Sequence, residues 1–254
     1  MKKNLRMSIP LILTILAMIS CRGTVEDITA WEFRGVVIDF EGPWYSGSSS
    51  SKYDLLELKY RKHFLEIVMT EMERYPEDFF ERINLGKIAV VRNLSLPGNS
   101  QDARMMVGGF ATGYMFFINA GCNYCDDPDD DHNNDFTKYS FHHELTHHVE
   151  FNFWARNNRH LLEPWNALWD ASDRTGQFDS STRGFITDYA RTNQLEDRAE
   201  IMGYFMGAET ENELFYEKAR NDEIFYQKAI VLFTLLKETF GLDFLDEFLL
   251  KINQ

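Results

Sequence analysis

The sequence predicts an α+β fold, in which a small mixed sheet is followed by a mostly helical C-terminal half. Three observations predict it. Apolar residues recur at helical spacing over residues 53–75. Two β-branched and aromatic runs follow, at 87–94 and 114–119. From about residue 136 the helical pattern then continues almost throughout, with breaks near Gly176, Gly184 and Gly241.

Composition limits the classes of protein to which the chain can belong. Of its 254 residues, 44% are apolar and 15% aromatic, enough to build the core of one medium-sized domain. That excludes wholesale disorder, collagen-like repeats and a disulfide-dense miniprotein. With 26 Lys and Arg against 40 Asp and Glu, the net charge is -14, and the sequence contains no run rich in Lys and Arg. We therefore expect no nucleic-acid partner.

The first 21 residues have the layout of an export signal. Basic residues near the start precede an apolar run over residues 9–19, and the small Ser20 stands before Cys21. The segment 17–21 resembles a bacterial lipoprotein signal, in which the cysteine becomes the lipidated first residue of the mature chain. We predict that residues 1–21 are such a signal and that Cys21 carries the lipid. The lipid would anchor the chain in the bacterial cell envelope, at the outer membrane, with the protein outside the cytoplasm. Plain secretion or a retained anchor is the alternative.

The residues after the signal divide into a predicted tether and a predicted domain. Residues 22–52 contain scattered aromatics and the serine run 46–51, which is typical of a tether with a few docking residues. The domain is predicted over residues 53–254. Its first helix spans 53–75 and ends before Pro76, and a second short helix follows at 77–84.

The two cysteines of the predicted domain form a C-x-x-C pair at Cys122 and Cys125. In an oxidising compartment this spacing favours a local disulfide over a redox centre, and a zinc knuckle would need two further ligands. Aspartates from 126 to 135 follow directly. We interpret them as a solvated acidic loop, with calcium binding as the alternative, because the run lacks the glycine and the terminal glutamate of an EF-hand loop.

The motif H-E-x-x-H, formed by His143, Glu144 and His147, carries the predicted chemistry. Residues four apart on a helix lie one turn above each other, so the two imidazoles can bind one Zn²⁺ from the same face. Glu144 can then act as general base on a water and later pass its proton to the leaving amine. A surface helix with adjacent histidines is the alternative reading of the pentapeptide.

A catalytic zinc needs a third protein ligand, and a later glutamate is the candidate. The metzincin extension is absent, because Glu150 and Phe153 occupy its glycine and histidine positions. Glu196 and Glu200 stand one turn apart on a predicted helix that Asn193 caps. One can bind the metal, while the other accepts the remaining N–H of a ligand imidazole and orients it.

The segment from Tyr189 to Glu200 reads Y-A-R-T-N-x-x-E-x-x-A-E. It resembles the glutamate helix of anthrax lethal factor-type zinc metalloproteases, a gluzincin group with H-E-x-x-H. The resemblance implies a zincin-like fold, Glu196 as the third zinc ligand, Tyr189 as the oxyanion donor and Glu200 as the partner of a ligand histidine. The chain also resembles bacterial lipoproteins described as zinc-binding metallopeptidases, which carry F-H-H-E-L-x-H. Both resemblances concern about residues 85–207.

The remaining histidines and tryptophans are predicted to be structural. His142 and His148 point about 100° away from their neighbours on the helix, so we expect packing or hydrogen-bonding roles. The tryptophans of the helical half are expected in the core: Trp154, Trp165 and Trp169. Strand 114–119 is predicted at the sheet edge, where a substrate peptide can extend it.

The sequence thus predicts a zinc-dependent metallopeptidase that hydrolyses peptide bonds of a peptide or protein substrate outside the cytoplasm. Two other readings stay open. One is a non-catalytic surface lipoprotein binding module with a vestigial zinc site. The other is a structural lipoprotein without metal.

Overall fold

The computed structural model of the chain describes residues 28–42, 52–97, 104–106, 108–120, 131–154 and 159–254. The predicted signal with Cys21, the serine run and the pair Cys122 and Cys125 lie outside the described residues, as does most of the acidic run. Within the described ranges, no helix combines the length and the apolar character needed to cross a membrane.

A mixed sheet of seven strands forms the centre of the described part of the chain. The strands are β1 (Ala30–Phe33), β2 (Val36–Asp39), β3 (Lys52–Leu55), β4 (Lys87–Pro97), β5 (Arg104–Met106), β6 (Gly109–Ala111) and β7 (Met115–Asn119). Their order is β1-β2-β4-β7-β6. Strands β2, β4 and β7 run parallel to one another, whereas β1 and β6 are antiparallel additions at the two ends. Strands β3 and β5 pair with the far part of β4.

Part of the predicted tether belongs to the sheet, which corrects the prediction for residues 30–40. Strands β1 and β2 form a hairpin whose two turn residues, Arg34 and Gly35, both have positive φ, as a tight turn between twisted strands requires. The apolar side chains of β2 and its continuation are fully buried: Val36, Ile38 and Phe40. Because β2 also pairs with β4, this segment is part of the core and cannot be a flexible tether.

Strand β4 alternates its side chains between two apolar layers. Ile88 and Val90 face the main core, which the helices cover. Ala89 and Val91 face a smaller cluster on the opposite side of the sheet, together with Phe117. The sheet is therefore buried on both faces along β4, and the central parallel strands read as continuous apolar runs.

The first two helices are α1 (Leu58–Glu73) and α2 (Phe79–Arg82). The prediction of a helix from residue 53 was wrong at its start, because residues 52–55 form β3 and pair with β4. Leu56 is nonetheless buried, which explains why it fits the helical pattern. The Arg61 guanidinium donates to the Leu56 carbonyl and fixes the turn that leads into α1.

The C-terminal half is mostly helical, and the predicted α+β fold is confirmed. Its helices are α3 (Asp131–Val149), α4 (Glu163–Asp170), α5 (Gln194–Met206), α6 (Glu209–Asn221), α7 (Glu223–Phe240) and α8 (Phe244–Ile252). A π-helical turn, Glu150–Trp154, continues α3, and short 3-10 turns span Arg159–Leu162 and Tyr189–Thr192. Gly176 and Gly184 lie at positive φ in the loop after α4, and Gly241 ends α7 in the left-handed region.

The helical half packs its aromatic residues into the main core, as predicted for the tryptophans. Trp154 and Trp165 are fully buried and Trp169 is nearly so. Helix α3 packs between β7 of the sheet and α5. The H-E-x-x-H helix is therefore held from two sides by the core.

Strand β7 is not the sheet edge, which corrects the prediction for 114–119. It pairs with β4 on one side and with β6 on the other, and Tyr114 precedes it. Among the described strands, the short β6 occupies that end of the sheet. The sequence of β6, Gly-Phe-Ala, is too short and too rich in small residues to give a strand signal by itself.

Candidate metal centre

The two histidines of the H-E-x-x-H motif lie on one face of α3, one turn apart. Their Nε2 atoms are 3.2 Å from each other, and both side chains are buried. The spacing of four residues turns both imidazoles toward α5, the helix that carries the glutamates.

Helix α5 supplies the third candidate ligand. Asn193 caps this helix as predicted, since its side-chain oxygen accepts the backbone N–H groups of Leu195 and Glu196. The Glu196 Oε2 atom then lies 3.2 Å from the His143 Nε2 and 3.0 Å from the His147 Nε2. All three ligand atoms lie within 4.8 Å of one another, so the structure brings His143, His147 and Glu196 into one cluster able to hold a metal ion.

The charges of the three residues are mutually dependent. Burial opposes protonation of His143, but hydrogen bonds to Glu196 and Glu200 outweigh it and raise the pKa of His143 to about 10. Burial likewise disfavours the Glu196 carboxylate, yet hydrogen bonds from the two imidazoles hold its pKa well below the ordinary value. A metal ion binds only the deprotonated imidazole, so metal binding at this cluster would displace a proton from His143.

The donor set fits zinc. Two imidazole nitrogens and one carboxylate oxygen are ligands that catalytic zinc sites use together with one open position. The three atoms are 3.0 to 3.2 Å apart. Tetrahedral ligands at zinc bond lengths stand roughly 3.3 Å apart, so little rearrangement would be needed.

Glu144 lies between the two candidate ligand histidines and strand β6. Its side chain is 4% exposed, and burial raises the pKa of its carboxyl although the nearby His143 and His147 oppose the rise. Gly109 of β6 lies directly against it. A buried carboxyl with an elevated pKa is well suited to take up a proton and give it away again.

Tyr189 lies beside the cluster and is partly exposed to solvent. Its side chain is 50% exposed, and its ring stacks against the His143 imidazole at a centroid distance of 6.1 Å. Burial of the phenol and the adjacent Glu196 carboxylate raise its pKa well above the ordinary value. The hydroxyl therefore stays a hydrogen-bond donor at neutral pH.

Glu200 lies behind His143 rather than at the metal cluster. Its Oε1 is 3.2 Å from the His143 Nδ1 and also accepts the Tyr139 hydroxyl. Its Oε2 accepts the Thr187 hydroxyl at 2.6 Å. Both oxygens are occupied, so the carboxylate is fixed where it can orient the ligand imidazole.

A buried ion pair joins the two segments of chain that carry the candidate ligands. Glu150, in the π-helical turn after α3, pairs with Arg198 of α5, and both side chains are almost wholly inaccessible. Glu150 follows His147 by three residues, and Arg198 follows Glu196 by two. The pair therefore holds the two ligand-bearing segments against each other close to the cluster.

The neighbouring histidines have the structural roles that their positions predicted. The His142 Nε2 is 2.9 Å from the Glu71 carboxylate, and its Nδ1 is 2.8 Å from the Tyr75 hydroxyl. His148 contacts the Thr112 carbonyl at 3.1 Å and the Asn152 amide at 2.9 Å. Both side chains point away from the metal cluster.

Three residues of the site were missed at the sequence level: Gly109, Tyr139 and Thr187. Tyr139 stands one turn before His143 on the same helix, so helical spacing alone could have found it. Thr187 and Gly109 lie in a loop and in a very short strand, where no periodic signal marks the residues that face a site.

Comparison with known proteins gives one match by structure. The chain is similar in fold to a crystal structure from Bacteroides caccae described as a "putative zinc-binding metallo-peptidase", with a TM-score of 0.47 and 18% identity, covering 74% of this chain and 76% of that one. No family and no curated protein matches the sequence.

Proposed function

We propose that the chain is a zinc-dependent peptidase in which His143, His147 and Glu196 bind the metal. The convergence of their three ligand atoms is the observation that carries the proposal, because these residues come from two helices and are separated by up to 53 positions in the sequence. An apolar contact between the two helices would stabilise the fold better than two buried histidines and a carboxylate that meet at one point. A role in metal binding accounts for the cluster where stability does not.

Zinc, when bound at such a site, lowers the pKa of a water and polarises a peptide carbonyl. The residues of this chain supply the rest of the chemistry. Glu144 takes the proton of the attacking water and passes it to the nitrogen of the leaving amine. Its buried position and raised pKa support both transfers.

Tyr189 is proposed as the oxyanion donor. Its hydroxyl remains protonated, and a donor aimed at the carbonyl oxygen stabilises the charge that develops during attack. Glu200 keeps His143 in the tautomer whose Nε2 faces the metal, since it accepts from the Nδ1 side.

Strand β6 takes the role that was predicted for residues 114–119. It lies at one end of the described sheet and beside Glu144, so an extended peptide paired with it would pass the general base. Main-chain pairing of this kind would orient the substrate with little dependence on its side chains. The lipid anchor at Cys21 and the location in the cell envelope remain part of the proposal and rest on the sequence of residues 1–21.

Zinc content per chain tests the proposal most directly. The full chain, purified without chelator, is expected to hold about one zinc. The Glu196→Ala variant is expected to bind zinc with an affinity lower by about tenfold or more. Glu213→Ala, an exposed glutamate on α6, is the matched control and should bind zinc as the parent does. A parent chain that takes up no zinc, even when zinc is supplied, would favour the structural lipoprotein. Zinc without cleavage of any peptide in a library would favour the binding module with a vestigial site.

A further inference from the structure

The hydroxyl of Thr187 contacts two parts of the candidate site at once. It donates to the Glu200 Oε2 at 2.6 Å and accepts the backbone N–H of Ala190 at 3.0 Å. Glu200 belongs to the group that orients His143, and Ala190 is the neighbour of Tyr189. A single side chain therefore connects the turn that presents the phenol with the carboxylate behind a ligand histidine.

Thr187 completes the set of donors around Glu200. The Oε1 atom of this carboxylate is used by the His143 Nδ1 and the Tyr139 hydroxyl, whereas the described donor to Oε2 is Thr187. Loss of that donor would free the carboxylate to rotate and would change the hydrogen bond that orients His143.

Tyr189 depends on its turn for its position, because half of its own side chain is exposed. The turn is fixed on its far side by Arg191, which bonds to the Asp188 carboxylate at 3.0 Å and to the Gly176 carbonyl at 2.9 Å. On its near side the Ala190 N–H is held by Thr187. A short side-chain bond to a backbone N–H is a common device for fixing such a turn.

The chain is also anchored just before Thr187. The Gly184 N–H donates to the Asp222 carboxylate at 2.6 Å, and the Gly184 carbonyl accepts from the Lys228 ammonium at 2.7 Å. The segment from 184 to 191 is thus held at both ends by residues outside the site. Thr187 is the contact in between that sets the segment relative to Glu200.

We propose that Thr187 is a positioning residue that couples the placement of the Tyr189 phenol to the orientation of the ligand His143. The inference rests on the proposed function and deepens it, because a donor to a developing oxyanion acts only when it is held within a few tenths of an ångström of its place. The described hydrogen bonds of the Thr187 hydroxyl are to Glu200 and to the Ala190 N–H, so its effect on the site is transmitted through these two partners.

The experiment compares Thr187→Val with Thr187→Ser in the full chain. Valine keeps the shape but removes both hydrogen bonds, whereas serine keeps the hydroxyl. For Thr187→Val we expect zinc affinity and kcat each to fall by about tenfold with KM nearly unchanged, and the visible absorption of the Co²⁺-loaded chain to change. Thr187→Ser should restore all three quantities toward those of the parent.

Thr182→Val is the matched control, because Thr182 lies in the same loop and its hydroxyl also accepts a backbone N–H, that of Asp179 at 2.9 Å. It should leave the Co²⁺ spectrum and kcat unchanged. Equal losses in Thr182→Val, or parent-like values in Thr187→Val, would overturn the inference.

Failure of the inference can be told apart from failure of the proposed function. The parent could bind zinc but cleave no peptide, while the Co²⁺ spectrum of Thr187→Val differs from that of the parent. That result would support the coupling and contradict the peptidase activity. Amide hydrogen exchange over residues 188–193 is measured in parallel on the metal-free chain. Faster exchange in Thr187→Val, and not in Thr182→Val, supports the inference even without metal, and unchanged exchange would overturn it.

Discussion

Gly109 and Glu144 lie so close together that no larger residue fits between strand β6 and the H-E-x-x-H helix. A methyl group added at Gly109 would stand 2.4 Å from the Glu144 Cγ and 2.4 Å from the Phe117 carbonyl oxygen. Because the second contact is with backbone, side-chain rotation alone cannot relieve it. The proposed general base and the proposed substrate strand are therefore in direct contact through a glycine.

Gly109→Ala should impair hydrolysis while leaving the metal in place. Either β6 or the Glu144 side chain must shift, and we expect kcat/KM to fall by about ten- to a hundredfold. Zinc content should stay at the parent level, since the atoms nearest to the added methyl group belong to Glu144 and Phe117 and not to a proposed ligand. Gly241→Ala is the control. The φ of +74° at Gly241 disfavours alanine, but no atom lies within 4 Å of a Cβ added there. It should lower stability and leave kcat/KM intact.

Glu144→Gln tests the general base without altering the shape of the side chain. The amide cannot take a proton from water, so kcat should fall by about 10²- to 10⁴-fold. Zinc affinity should change little, because the ligand atoms belong to other residues. Glu213→Gln, on the surface of α6, provides the control. Cleavage by Glu144→Gln at the parent rate would remove Glu144 from the mechanism.

Lys228 and Asp197 form an ion pair with both side chains fully buried, at 2.8 Å. Burial raises the pKa of Asp197 to about 7 although Lys228 stands beside it, so this carboxylate depends strongly on its partner. Lys228→Met should lower the free energy of unfolding of the metal-free chain by about 3 to 5 kcal/mol.

The double variant Lys228→Met with Asp197→Leu removes both charges and should recover part of that loss, although the hydrogen bond from Lys228 to the Gly184 carbonyl stays lost. Denaturant unfolding of the parent, Lys228→Met and the double variant, measured with chelator present, gives the comparison. A double variant as unstable as Lys228→Met would show that packing or the lost bond to the Gly184 carbonyl, and not the unpaired carboxylate, dominates at this position.

Glu71 should make stability depend on pH in the acid range. Burial opposes its ionisation, but the hydrogen bond with His142 and the charge of Arg74 hold the pKa of Glu71 below the ordinary 4.5. A carboxyl with a depressed pKa contributes stability above its unfolded pKa and loses it as the pH falls through the folded pKa. The parent should therefore exceed Glu71→Gln by about 1 to 2 kcal/mol at pH 7, and the gap should close below pH 4.5.

Urea unfolding of the metal-free chain at pH 7 and pH 3.5 measures that gap. Glu66→Gln on the exposed face of the same helix is the control, because its pair with Lys62 at 3.8 Å is solvent-exposed and contributes little at either pH. A gap between parent and Glu71→Gln of the same size at both pH values would show that ionisation of Glu71 is not the cause.

The sequence by itself determined the features that depend on local spacing. The i, i+4 pair His143 and His147, the Asn193 cap and the order of sheet and helices all follow from periodicity and from backbone hydrogen bonding within a few residues. The same local rules are ambiguous where apolar residues fit two periods, and so the predicted helix 53–75 includes residues 53–55, which belong to β3.

Only the tertiary structure decided which distant residues meet. Strand β2 forms because β4 offers it a partner 50 positions away, and β1 in turn pairs with β2. These four-residue strands are too short to signal their pairing by themselves. Glu196 reaches His147 across 49 positions, and Thr187, Tyr139 and Gly109 enter the site through contacts between separate elements. Such contacts depend on packing of the whole core, which no local pattern of residues encodes.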